Sequence, residues 1–428
     1  MAVNIPVTSK PRIVIIGAGF AGIELAKALA SADVQVVLID KNNHHTFQPL
    51  LYQVATAGLE PDSIAYPVRE IFRGQENFIF RMAEVLELKP ELHCVATSIG
   101  DIAYDQLVLA TGAGTNFFGM KDVEQFALPM KTLADAMELK NSILEDFERA
   151  VLTTSLEERD RLMTFVIIGG GPTGVELSGA LCELKQVVLP HDHPELDLKK
   201  MQVHLVDMED RLLKGMSPGS SHSAQAFLSE HGVNVWLNAR VISFDGMKVE
   251  LSNGKVIPTR NVIWAAGVTG VIIPGLNKEC VIGGRVRVDA YNRVPGFNDI
   301  FALGDVACMV SEKTPKGHPM LAPVAIQQAR LLARNLRSIL RKSEELKAFS
   351  YNDLGVLATV GRHHAVAELF FGKFRGFLAW IMWAALHLMT LVGFRNKLVA
   401  MINWTWSYLR YDSGLRLIFR PRSRHSRA

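Results

Sequence analysis

The apolar positions of the chain fall into two blocks with the same internal order. "RIVIIGAGFAGIELAKALA" opens on an apolar, β-branched run, passes through three glycines and continues into helix-forming residues; the next run, "VQVVLID", ends in Asp40. This order predicts strand, tight turn, helix, strand, with an acid closing the second strand. The block returns at "FVIIGGGPTGVELSGALCEL", where Gly169, Gly171 and Gly174 repeat the spacing of Gly17, Gly19 and Gly22 at an offset of 152 residues. A second pair, "LVLATG" ending at Gly112 and "VIWAAG" ending at Gly267, is offset by 155 residues, which marks a duplication. In the second copy the acid is Asp207, 33 residues past Gly174, because "KQVVLPHDHPELDLKKM" lengthens the crossover. "NDIFALGDVA" adds Gly304 and Asp305 behind another short strand, and Gly376 to Phe394 runs nineteen residues without a charge.

The glycine spacing carries chemistry. In G-x-G-x-x-G the first glycine permits the turn, the second lets backbone N–H groups approach a pyrophosphate at the helix N-terminus, and the third allows close helix-to-strand packing. Asp40 can then accept hydrogen bonds from ribose hydroxyls. Asp207 can do the same and would repel a 2′-phosphate, favouring NADH over NADPH, or it can cap the following turn. Asp305 can hold a polyol hydroxyl or cap a helix. Two dinucleotide sites in one chain call for two cofactors that exchange electrons, a resident flavin and a nicotinamide.

Composition narrows the class. With 428 residues, 49% hydrophobic and 21% charged, the chain suits two or three domains with buried cores and excludes a disordered or fibrous protein. The net charge of +3 is uneven: from Arg395 onward eight Lys or Arg stand against Asp412 alone, so the tail is +7 and the rest −4. A basic tail beside an apolar stretch points to an anionic lipid surface and not to nucleic acid. Cys94, Cys182, Cys280 and Cys308 are far apart and form no C-x-x-C, so no zinc cluster or dithiol pair is expected. His191 and His193 flanking Asp192 are expected in a solvated loop, with no metal site. "MAVNIPVTSKPR" is too short and polar for a signal peptide and too poor in Arg for a transit sequence, so the body is expected to stay where it is made.

Together, "GAGFAG", "LVLATG", "GGGPTGVE", "VIWAAG" and "ALGDVA" resemble the two-dinucleotide-binding-domain flavoproteins. "NNHHTFQPLLYQVATAGLEPDSIAYPVREI", "LAPVAIQQAR" and "GFRNKLVAMINWTWSYL" narrow the resemblance to type II NADH dehydrogenases, the single-subunit NADH:quinone oxidoreductases. The resemblance implies an α/β fold with two Rossmann-like dinucleotide-binding domains and a C-terminal membrane-associating helical region. These are expected at 1–115 with 270–340 for FAD, 116–269 for NADH, and 341–428 for the anchor. The implied reaction moves two electrons from NADH through FAD to a membrane quinone, without proton pumping.

Site residues follow from the same resemblance. Gly17, Gly19, Phe20, Ala21 and Gly22, with Asp40 and Lys41, are expected to hold the ADP part of FAD, and Gly304 with Asp305 the ribityl chain. Thr46, Pro49, Leu50, Leu51, Val85, Ala110, Thr111, Gly112 and Ala325 are further expected cofactor contacts. Gly169, Gly171, Pro172, Thr173 and Gly174, with Asp207, Ala266 and Gly267, are expected to hold NADH. Glu176 is expected near the nicotinamide with a link to quinone chemistry, or is a buried helix carboxylate common to the superfamily. Gln327 matches the end of the family's quinone motif. Two departures weaken the quinone side: Pro323 replaces that motif's first glutamine, and Leu354 stands where some members have a lysine.

Disulfide reductases of this fold need a close cysteine pair, which the spacing lacks. A ferredoxin- or rubredoxin-type reductase would leave the apolar C-terminus unexplained. An NADH-binding flavoprotein sensor without turnover is the rival from another class. The C-terminal stretch is long enough to cross a bilayer, but one crossing would export the basic tail against the positive-inside tendency. The expectation is therefore an in-plane anchor over about Gly376 to Arg420, on the cytoplasmic face of the cell membrane. A partly buried helix or a contact with a second copy of the chain stays open. In that anchor Ala379, Trp383, His387 and Thr390 pack on the body. Leu378, Met382, Leu388, Val392, Trp404, Trp406 and Tyr408 face lipid, and Arg395, Lys397, Arg410 and Arg416 reach headgroups.

Overall fold

The computed structural model describes residues 3–312, 314–343, 345–410 and 416–419, with backbone alone at 394 and 406–410. The chain forms two units: Met1–Thr46, Tyr66–Gly114 and Val268–Leu354 make the first, and Phe47–Ala65, Thr115–Gly267 and Gly355–Ala428 the second.

The first unit is built on a parallel sheet of five strands, in the order Ile300–Ala302, Gln106–Leu109, Arg12–Ile16, Gln35–Asp40, Phe78–Met82. Alternation along the strands sorts their side chains between two cores. Ile13, Ile15, Val36, Leu38, Val108 and Phe301 enter one, while Val14, Ile16, Val37, Ile39, Leu107 and Ile300 enter the other. Both faces are thus covered, which is why the strand sequences read as unbroken apolar runs. Each fully buried Ile, Leu or Val contributes about 1.5–3 kcal/mol. Helix Phe20–Ala28 lies on one face, packed in the same core as Ala325, Ala329, Leu332 and Leu336 of helix Ala322–Leu340.

The second unit repeats the plan. Its parallel sheet runs Leu128–Pro129, Asn261–Trp264, Thr164–Ile168, Gln202–Val206, Val233–Trp236. Helix Pro172–Glu183 follows the second glycine turn and continues without a break into a π-helical turn, Leu184–Val188. The segment anticipated as a solvated loop is partly packed: His193 is buried and stacks on Phe147 at 5.7 Å, because the crossover folds back over helix Leu133–Leu152.

A three-stranded antiparallel sheet, Val356–Gly361, His364–Leu369 and Gly372–Gly376, leads into helix Phe377–Thr390. That helix is shorter than the apolar stretch. The helix stops at Thr390, where Leu391 (ψ 137°) leaves the helical region, and Gly393, with φ +86°, leads into a second helix, Phe394–Arg410. Fourteen residues span about 21 Å, short of the roughly 30 Å of hydrocarbon in a bilayer. Among the described residues no helix is long and apolar enough to cross a membrane. Ala379 and Trp383 are buried on the inner face, as the stripe implied, but Thr390 of that stripe is exposed; outside it Leu378, Ile381, Leu386 and Met389 are exposed, while Met382, Leu388 and Val392 are partly buried.

Three expected outward residues behave differently. Trp404 turns inward and donates its indole N–H to Gln53 Oε1 at 2.8 Å, since a buried indole seeks an acceptor. Arg416 pairs with Asp192 at 2.5 Å, and Arg395 with Asp62 at 3.4 Å, because each finds a carboxylate within its own unit. The side chains of Trp406, Tyr408 and Arg410, and residue Arg420, lie outside the described residues.

One glycine outside the two turns is dictated by packing. A Cβ on Gly179 would stand 2.1 Å from the Val360 carbonyl oxygen, so helix Pro172–Glu183 can lie on strand Val356–Gly361 only without a side chain there. Gly179→Ala is expected to lose about 1–3 kcal/mol through overpacking, seen as a lowered thermal midpoint. An unchanged midpoint would show that the strand yields freely.

Candidate functional site

The two glycine turns are nearly superimposable in their contacts. Gly17 N–H donates to Ile39 O and Gly169 N–H to Val206 O, both at 2.8 Å. Gly17 (φ +107°) and Gly169 (φ +113°) need the left-handed region, and a Cβ on Gly22 or Gly174 would lie 1.8 Å from the carbonyl oxygen of Gly17 or Gly169. At Gly19 and Gly171 a Cβ would meet nothing within 4 Å, so space is open at the N-termini of helices Phe20–Ala28 and Pro172–Glu183. An open space at a helix N-terminus suits a pyrophosphate, and both turns therefore fit a dinucleotide.

The acids play a part that spacing did not show. Asp40 Oδ2 accepts from Ala18 N–H and its Oδ1 from Asn42 N–H, each at 2.7 Å. Asp207 Oδ2 accepts from Gly170 N–H and Oδ1 from Glu209 N–H at 2.8 Å, which also caps the following turn. Both acids brace the glycine turn from behind. A carboxylate has about four acceptor positions, so each keeps lone pairs for a ribose.

In the first unit, Ala21, Gly304 and Ala325 meet beside the first turn. A Cβ on Gly304 would lie 3.1 Å from Ala325 Cβ and 3.5 Å from Ala21 Cβ, and Ala110 O lies against Gly17. Gln328, buried, accepts from Gly304 N–H at 2.7 Å and ties the "ALGDVA" turn to helix Ala322–Leu340. Asp305 sits in the 3-10 turn Gly304–Val306. Thr111 donates its hydroxyl to Val271 O at 2.6 Å, and Gly112 takes φ +70°. Lys41 is exposed, and Val85 and Thr46 are partly buried. His45, which spacing did not single out, donates its Nδ1–H to Ala18 O (2.9 Å) and packs edge-on against Phe20. Burial lowers its pKa to about 4, so it supports the turn as a neutral ring.

Gln327 bonds to the chain beyond its own helix. Its amide donates to Asn352 O at 2.9 Å and accepts from Asn352 N–H at 3.0 Å, so both ends are engaged in holding the chain after helix Ala322–Leu340. In the second unit Pro49 and Leu50 form a 3-10 turn and Leu51 starts helix Leu51–Ala55, with Leu50 and Leu51 buried. Pro172 and Thr173 open the helix of the second turn, and Ala266 and Gly267 follow strand Asn261–Trp264.

That helix carries Glu176 into a cavity of about 160 Å³ within the second unit. Tyr52, Gln53, Glu183, Thr359, Arg362, Trp380, Trp383 and Trp404 line it, with Leu184, Val187 and Val188 from the π-helical turn. Glu176 is buried, and Thr359 N–H donates to its Oε1 at 3.3 Å. Burial pushes its carboxyl up to about 8; the Thr359 backbone and hydroxyl and the Trp383 indole act against that shift without cancelling it. Tyr52 OH lies 3.0 Å from the Thr359 hydroxyl and accepts from Gln53 Nε2 at 2.9 Å. Burial holds Tyr52 in its phenol form. The cavity therefore offers a protonated carboxyl, two hydroxyls and an aromatic wall, which suits a flat, apolar molecule that takes up protons. Tyr52 and Thr359 escaped the sequence reading because they are 307 residues apart and meet only through folding.

Comparison with known proteins agrees with this architecture. The family model for pyridine nucleotide-disulphide oxidoreductases matches residues 11–329. The NDH2 C-terminal domain model matches residues 354–410. Type II NADH:quinone oxidoreductase Ndh of Mycobacterium tuberculosis (strain ATCC 25618 / H37Rv) is 36% identical over 421 residues, 94% of this chain and 89% of that one. The mitochondrial internal alternative NAD(P)H-ubiquinone oxidoreductase A1 of Arabidopsis thaliana is 30% identical, covering 94% and 84%. The chain belongs to the type II NADH:quinone oxidoreductase family. The structure of NDH2 from Plasmodium falciparum in complex with NADH shares the fold, with TM-score 0.88 at 19% identity over 96% of this chain and 100% of that one.

The state of Glu176 is open to test through stability. Its carboxyl titrates near 4.5 when unfolded and near 8 in the fold, so its contribution to stability is full below 4.5 and is lost as pH rises through about 8. Glu176→Gln stays neutral throughout. The wild-type melting temperature is expected to fall relative to that of the variant as pH is raised across this window; a constant difference would show that the carboxyl is already charged.

Proposed function

We propose that the chain oxidises NADH and reduces a membrane quinone by two electrons, with FAD as the resident carrier and without proton pumping. The observation that carries this reading is the buried, proton-holding Glu176 in an aromatic cavity, on the very helix that the second glycine turn opens. FAD would be held by the first glycine turn, Asp40 and the Gly304–Asp305 turn, and NADH by the second turn and Asp207. When bound, FAD supplies a two-electron acceptor that a nicotinamide alone cannot replace. The protein's own part is to orient the substrates and to manage protons.

A quinone takes up two protons with its two electrons, whereas NADH delivers two electrons and one proton. Glu176, neutral at physiological pH, can give a proton to a quinone oxygen and must then be reloaded. Its neutral form also avoids a fixed charge facing an apolar ring. The Thr359 backbone N–H and hydroxyl hold it in place.

The exposed side chains Phe370, Phe371, Phe377, Leu378, Ile381 and Met389 belong to one hairpin turn and the helix after it. With Lys373 and Arg375 beside them, they suit an in-plane seat on an anionic bilayer at the cytoplasmic face, where Trp, Phe and basic residues favour the interface.

Purified FAD-loaded protein should show flavin bleaching by NADH, reversed by a soluble quinone. Bleaching without reversal would leave the sensor and sink the enzyme. Glu176→Gln should keep the bleaching and lose about 10²-fold in quinone turnover, the usual worth of a positioned acid. Exchanging Phe370 and Phe371 for Ser should release protein from anionic vesicles while turnover with soluble quinone persists. Vesicle binding equal to that of the wild type would refute the lipid seat.

A further inference from the structure

Helix Pro172–Glu183 carries a second acid into the cavity. Glu183 lies seven residues beyond Glu176, two turns along the same helix face, and lines the same space. The two differ in exposure. Glu176 is buried, whereas Glu183 is partly open to solvent. The rise between them is about 10 Å, too far for a direct hydrogen bond. Tyr52 bridges the gap in electrostatic terms, since its hydroxyl senses both carboxylates, and that hydroxyl is 3.0 Å from Thr359 Oγ1. Thr359 in turn meets Glu176 through its backbone N–H and its hydroxyl. A cavity of about 160 Å³ has room for waters between Glu183 and Tyr52.

We propose that Glu183 is the solvent-side relay that reloads Glu176 with the proton consumed in quinone reduction, by way of cavity water and the Tyr52–Thr359 hydroxyl pair. This rests on the reading that the chain reduces a quinone with Glu176 as proton donor. The transfer balances. Protonated Glu183 gives H⁺ through water to the Tyr52 oxygen, Tyr52 passes its own proton to Thr359 Oγ1, and Thr359 passes its proton to the Glu176 carboxylate. Each hydroxyl keeps one hydrogen, Glu183 is left as carboxylate, and solvent returns its proton. No electrons move in this step.

Burial raises both acids, Glu183 to about 7 and Glu176 to about 8, and the Arg362 backbone N–H and guanidinium act against that rise at Glu183. Among the described residues the groups facing the pair include Arg362 beyond strand Val356–Gly361, Tyr52 from helix Leu51–Ala55 and Trp383 from helix Phe377–Thr390, and Cys182 on the same helix senses the Glu183 charge. Immediately after Glu183 the helix widens into its π-helical turn, which presents Leu184, Val187 and Val188 to the same cavity. π-Turns inside helices recur at functional sites.

The test uses FAD-loaded protein, comparing Glu183→Gln, Glu183→Asp and Tyr52→Phe with wild type. Flavin bleaching by NADH is followed separately from steady-state reduction of a soluble quinone, across pH and in D₂O. Glu183→Gln is expected to bleach within about 2-fold of wild type but to lose about 10-fold or more in quinone turnover, the low end for lost proton transfer. Its turnover should lose the titration near 7 and gain a larger D₂O effect, and Glu183→Asp should recover most of the rate. Tyr52→Phe, which keeps the ring and removes the hydroxyl, should behave as Glu183→Gln does, and it decides the matter if that variant does not fold. Wild-type turnover and pH profile in both variants, or equal slowing of bleaching and turnover, would overturn the relay. A wild-type protein that bleaches with NADH yet passes nothing to quinone would overturn the reading beneath it instead.

Discussion

A contact that only hydrogen can make underlies both halves of this protein. Where helix Phe20–Ala28 leaves its strand, a Cβ on Gly22 would stand 1.8 Å from Gly17 O, and a Cβ on Gly174 would stand as close to Gly169 O in the second unit. With hydrogen there, the helix closes onto the turn, its first N–H groups point into open space at Gly19 and Gly171, and the acid at the neighbouring strand's end can grip the turn from behind. Phosphate recognition, strand order and the course of the following helix depend on that closeness.

The second unit builds more on its turn than the first does. Helix Pro172–Glu183 is held against strand Val356–Gly361 by a glycine at 179, and this contact brings Thr359 to Glu176. Loss of hydration then keeps the Glu176 proton in place up to about 8, in a cavity otherwise walled by indoles and aliphatic side chains. Packing of a helix on a strand has thereby set the protonation state of an acid. The same burial that costs stability at high pH supplies a carboxyl able to give up a proton at neutral pH.

Much of this was legible along the chain. The glycine spacings, the strand-ending acids and the offsets of 152 and 155 residues define two nucleotide-binding units, because a turn's conformation and a helix's approach are decided by neighbours a few residues apart. Local signals were weaker for the C-terminus. The stretch Gly376 to Phe394 reads as one apolar run, yet its helix ends at Thr390 and Trp404 turns back to Gln53. Gln327, which resemblance placed at the quinone, spends both ends of its amide on Asn352. Such choices are made by whichever acceptor happens to lie near after folding.

What the sequence by itself determined is the duplicated frame, the cofactor class and the family, all written in short-range patterns whose physics is steric and local. Only tertiary structure decided that Tyr52, Thr359, Glu176 and Glu183 share one cavity, that segment Phe47–Ala65 belongs to the second unit, and which acids hold protons. Those outcomes depend on burial and on distances across hundreds of residues, and a carboxyl's hydration cannot be read until the walls around it have closed.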